Sequence, residues 1–110
     1  MKLAFRRDWI TRIGNPSKIS LIVVEGDSME PTLLSGHVVL VDHIRKFLTP
    51  QGGICAIVID HAILIKRLQV LHGESKVKVI SDNPCYESFL INPEELIINS
   101  KVIWFARLID

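Results

Sequence analysis

At 110 residues the chain is long enough for one domain with a single modest core. Its 48% hydrophobic and 23% charged residues are ordinary for a globular protein. A net charge of +1, with basic residues scattered and only Arg6, Arg7 and Arg12 near one another, leaves no footprint for nucleic acid. Cys55 and Cys85 form neither a disulfide framework nor a metal motif. His37, His43, His61 and His72 are spread singly without ligand spacing, so no metal or other cofactor is expected. The longest apolar run, ICAIVIDHAILI, is broken by Asp60 and His61 and is too short to cross a bilayer. The opening MKLAFRRDWITRIG has no continuous apolar stretch of the signal-peptide kind. The expected setting is cytoplasmic and reducing, with no membrane partner.

Residues 1–15 carry Phe5, Trp9, Ile10 and Ile13 at near-helical spacing, which predicts a short helix or an arm docked on the body. GNPSK is then a turn. From there to residue 110 the texture is β. The Val- and Ile-rich runs are ISLIVVE, HVVLVD, ICAIVI, AILIKRLQV, KVKVIS and KVIWFARLI. Turn signals separate them: EGDS, LSGH, PQGG, DH, LHGES and SDNP. The expected architecture is mostly β, as twisted antiparallel sheets or a partly closed barrel, with little helix.

Two runs have readable faces. In KVKVI, Val77 and Val79 alternate with Lys76 and Lys78, which describes a half-exposed strand. In AILIKRLQV, Lys66 shares its face with Ala62, Leu64, Leu68 and Val70, while Arg67 and Gln69 point the other way. Both faces carry apolar residues, so the core side stays open. Asp82-Asn83-Pro84 is a good turn by composition, and Tyr86 and Phe89 read as packing residues. The terminal run with Trp104 and Phe105 is either core or a dimer contact.

One stretch resists a purely structural account. VVEGDSMEPTLLSGHVVLVD sets Ser28 between an acid and a methionine, at a turn between two apolar runs. A serine here opens a short helical turn, where unpaired backbone N–H groups are able to hold an oxyanion. On residue type alone, a serine in such a turn is far more often an N-cap or turn hydroxyl than a nucleophile. A serine becomes a nucleophile only when a base takes its proton. Lys66 is able to serve if aliphatic neighbours desolvate it and lower its pKa. The alternative for Lys66 is a strand lysine that reaches water and blunts aggregation.

The set GDSMEPTLLSG, VVLVD, ILIKRLQ, ISDNPCYESF and KVIWFARLI, in that order, resembles the C-terminal domain of the LexA-like family. That family includes phage CI-type repressors and the mutagenesis protein UmuD. The resemblance runs from about Trp9 to Leu108. It implies that Ser28 is the nucleophile and Lys66 the general base. The backbone amides of Asp27 and Ser28 would form the oxyanion hole, with Gly26, Met29 and Pro31 shaping the turn. It implies self-cleavage through an acyl-enzyme and a homodimer. The RecA–single-stranded DNA filament would be co-protease, and operator DNA would be reached only through a helix-turn-helix domain not contained in this sequence. Residues 1–15 would be a linker remnant and 16–110 the peptidase and dimerisation domain.

The sequence departs from the family pattern at Gly36-His37, where Gly-Asp is typical, at Gly52-Gly53, where Asp-Gly is common, and at NSKVIW. No Ala-Gly or Cys-Gly dipeptide of the family's scissile type precedes Ser28. The chain is therefore expected to be a repressor domain, a cleavage product or a free-standing UmuD-like protein, the first being favoured by FRRDWI and SDNPCYESF. Competing readings are a dimerisation module with an idle dyad and, ranked last, a relative of type I signal peptidase.

Overall fold

In a computed structural model of the chain, residues 16–106 are described. They form seven strands: β1 (Ile19–Val23), β2 (Val38–Asp42), β3 (Gly53–Ile59), β4 (Ala62–Leu71), β5 (Lys76–Ile80), β6 (Phe89–Ile91) and β7 (Ile98–Ala106). Single 3-10 turns at Pro16–Lys18 and Pro93–Glu95 are the helical elements among the described residues. The sequence reading of a mostly β protein with little helix holds. The strands build one open antiparallel sheet in the order β1-β2-β7-β3-β4-β5-β6, not a barrel. The expected helix or arm over residues 1–15 lies outside the described residues.

Six of the strands fall on the Val- and Ile-rich runs. The seventh, β6, is three residues long and too short to show an alternating pattern. It pairs with β5 through Val77↔Ile91 and Val79↔Phe89. The β3–β4 hairpin turns on Asp60 and His61, both at positive φ (49° and 67°), as a two-residue turn matching strand twist requires. Gly52 is needed for a close approach, because a Cβ there would lie 2.1 Å from the Leu68 carbonyl oxygen.

The C-terminal strand joins the two halves of the chain. β7 lies between β2 and β3, and its register slips by one residue against each. Ile103 and Asn99 are the extra residues, and such bulges bend and twist a strand. The sheet therefore carries apolar clusters on both faces. One gathers Cys55, Ile57, Leu68, Val77, Val79 and Ile98. The other gathers Val24, Met29, Leu33, Val39 and Val41, with Ile54, Ile65 and Val102 packed against it. This resolves the ambiguity of β4: Leu68 enters the first cluster and Ile65 the second. The half-exposed reading of β5 also holds, with Val77 and Val79 buried and both lysines half-buried.

Candidate active site

The loop between β1 and β2 is built around two buried anchors. Met29 and Leu33 are nearly inaccessible, at 2% and 1% exposure, and fill the second cluster beneath the loop. Burying both is the reason apolar residues sit beside a polar turn. Gly26 takes φ +79°, Glu30-Pro31 is cis, and a helical turn follows, with Glu30 N–H donating to Asp27 O and Leu33 N–H to Met29 O. Ser28 is half-buried at the start of that turn. Among the described residues, neither the Asp27 nor the Ser28 amide is hydrogen-bonded.

His37 closes the loop from behind. It is buried, its ring stacks on Phe105 with centroids 6.4 Å apart, and Nδ1 accepts the Leu34 N–H at 3.1 Å. The departure from Gly-Asp at this point thus still supplies an acceptor for the loop backbone. Nδ1 as acceptor places the proton on Nε2, which is buried without a partner among the described residues.

Lys66 stands opposite Cys55 in the β3–β4 ladder, on the same face as Leu68. The expected aliphatic enclosure is only partial. Ala62 and Leu64 are exposed, and Lys66 itself is half-buried. Burial still holds its amine below the usual lysine range. Nζ donates to Ser81 Oγ at 2.7 Å and lies 5.9 Å from the centre of the Tyr86 ring. Among the described residues the Ser28 hydroxyl and the Lys66 amine make no direct hydrogen bond.

The two are connected through residues 81–86. Asn83 N–H donates to Ser28 O at 3.0 Å, and Asn83 Nδ2 donates to Asp27 O at 2.9 Å. The Tyr86 hydroxyl donates to Asp27 Oδ1. Asp82 accepts both Arg67 Nε and Nη2 at 2.8 Å and also takes the Thr32 hydroxyl. The bonds from Arg67 hold the Asp82 carboxyl below its usual range. Asp82 N–H also reaches Met29 Sδ at 3.5 Å.

Reading SDNPCYESF as a plain turn with packing side chains is therefore incomplete. Tyr86 and Phe89 are 45% and 42% exposed, and the segment contacts both the Ser28 loop and the Lys66 strand. The signal was present in the hairpin arithmetic. A four-residue loop at His72–Ser75 sets Arg67 opposite Ile80, so the next pair outward is Lys66 and Ser81.

Beside this constellation runs a groove of about 490 Å³. Residues 22–25 form one wall and residues 63–65 the other, with Ser28 and Met29 completing the lining. β1 is an edge strand, and β4 pairs with β5 only from Arg67 onward. Each wall therefore presents a stretch of strand edge without a ladder partner among the described residues. Cys55 is buried and Cys85 exposed, both free, and no cluster able to hold a metal occurs among the described residues.

The domain is thus an open antiparallel sheet carrying a serine turn, a partly desolvated lysine and an edge-lined groove. The family profile described as Peptidase S24-like matches residues 1–104, and the chain belongs to that family. This agrees with the LexA-like resemblance. The chain is also 34% identical over 94 residues to the 26 kDa repressor protein of Escherichia phage HK022. The match covers 82% of this chain and 39% of that relative, so the chain spans well under half of the repressor's length. No helix among the described residues is long and apolar enough to cross a membrane.

Proposed function

We propose that the chain is the autopeptidase and dimerisation domain of a LexA/CI-type repressor, with Ser28 as nucleophile and Lys66 as general base. The observation that carries this reading is the segment 81–86, which ties the serine turn and a partly desolvated lysine into one constellation beside an apolar groove. Neutral Lys66 would take the Ser28 proton as Oγ bonds to the carbonyl carbon of a peptide. The amides of Asp27 and Ser28 would hold the resulting oxyanion. Lys66 would return the proton to the departing amine as the C–N bond breaks, and water would release the acyl group. The substrate would be an extended segment laid between the two open strand edges.

The whole repressor's properties follow as part of the same reading. The domain would dimerise and meet the RecA–single-stranded DNA filament as co-protease in the cytoplasm. It would reach operator DNA through a helix-turn-helix domain outside this sequence. One observation favours a second reading, a dimerisation module with an idle dyad: the Lys66 amine is engaged by Ser81, not by Ser28.

Intact-mass detection of a fluorophosphonate adduct, from about pH 6 to about pH 10, separates the two. The peptidase reading predicts an adduct that grows with pH and is lost in Ser28→Ala and Lys66→Ala. An adduct absent at every pH would favour the idle module.

A further inference from the structure

Tyr86 touches both halves of the constellation. Its hydroxyl bonds the Asp27 carboxylate, and its ring faces the Lys66 amine. Burial does not hold it there, since the side chain is 45% exposed. A contact between exposed polar groups contributes little to folding, so the stability of the domain does not account for it.

Its position relative to Asp27 does. Asn83 pins the Asp27 carbonyl, and Tyr86 pins the other end of the same residue. With carbonyl and carboxylate both fixed, the backbone of Asp27 has little freedom to rotate. The directions of the Asp27 and Ser28 amides are then set.

We infer that Tyr86 is a positioning residue of the Ser28 site, holding Asp27 so that its own amide and that of Ser28 face the developing oxyanion. This rests on the peptidase reading. The effect is one of aim: donors set before reaction need no reorganisation when charge appears.

Tyr86 is the only tyrosine of the chain, so tyrosinate absorbance reports it directly. The hydrogen bond to Asp27 and the carboxylate's charge both raise its pKa above the ordinary phenol range. In the full chain the tyrosinate should appear above the usual value of about 10, and Asp27→Ala should lower it toward that value. Titration at the ordinary value in the unmodified chain would remove the contact and the proposal with it.

The second arm is the rate of fluorophosphonate acylation against pH. Tyr86→Phe keeps the ring beside Lys66 and removes only the hydroxyl. It should slow acylation about tenfold, with the pH midpoint and the unfolding midpoint unmoved. Acylation at the unmodified rate would overturn the positioning role while leaving the peptidase reading intact. A shifted pH midpoint would overturn it too, by placing the effect on Lys66. An unreactive unmodified chain would instead sink the peptidase reading itself, whatever the tyrosine titration shows.

Discussion

The two apolar clusters are alike in composition and opposite in what they support. The one around Ile57, Leu68, Val77 and Val79 is made almost wholly by strands whose ladders already fix them. The one around Met29 and Leu33 is half strand and half loop, and its loop residues are neighbours of Ser28. The first cluster maintains the sheet. The second also converts burial into the placement of a turn, helped by polar contacts from residues 81–86. Similar burial of aliphatic surface therefore has different consequences for the site.

The comparison is tested most strongly by matched truncations. Leu68→Ala and Met29→Ala should each lower unfolding free energy by about 3 kcal/mol in denaturant melts. They should part in reactivity. Met29→Ala should slow fluorophosphonate acylation about a hundredfold, while Leu68→Ala leaves it within a few-fold where still folded. Equal losses of reactivity would erase the distinction.

Next in size is Asp82→Ala, which removes the bidentate contact from Arg67 and the Thr32 bond. A loss of about 1–2 kcal/mol is expected, discounted because Arg67 is partly exposed. The Asp82 carboxyl is held below its unfolded value, so its stabilisation is present above that value and disappears as pH falls through the folded one. Acid melts of the unmodified chain should steepen below about pH 4, and Asp82→Ala should flatten that limb.

Lys66 gives a change of the opposite sign. Burial lowers its folded pKa, so its charged form costs stability at neutral pH. That cost fades as pH rises from the folded value to the unfolded one. Lys66→Met should therefore raise the thermal midpoint at neutral pH, with a gain that shrinks toward alkaline pH. The smallest effect lies in the β3–β4 turn: His61→Gly relieves a side chain at φ 67° and should stabilise by about 0.5 kcal/mol.

Much of the sheet was legible because β-branched runs separated by Gly, Asp and Pro leave few alternatives. KVKVI disclosed its faces because lysine and valine alternate strictly. β4 did not, because both of its faces meet a cluster and periodicity then has no contrast to show. β6 is too short to carry a pattern. Ser28 and Lys66 stood out by residue type and family resemblance. Ser81, Asn83 and Tyr86 did not, since their contacts run between chain-distant segments while their local composition reads as a turn. For Ser81 alone, counting outward from the HGES turn would have supplied the link.

The most direct test of the central claim is an NMR titration of the Lys66 amine, followed at its ε-carbon and assigned by Lys66→Arg. The midpoint should lie below the ordinary lysine value of about 10.4, because burial disfavours the charge. A midpoint at that ordinary value would contradict the account, leaving Ser28 without an activated base.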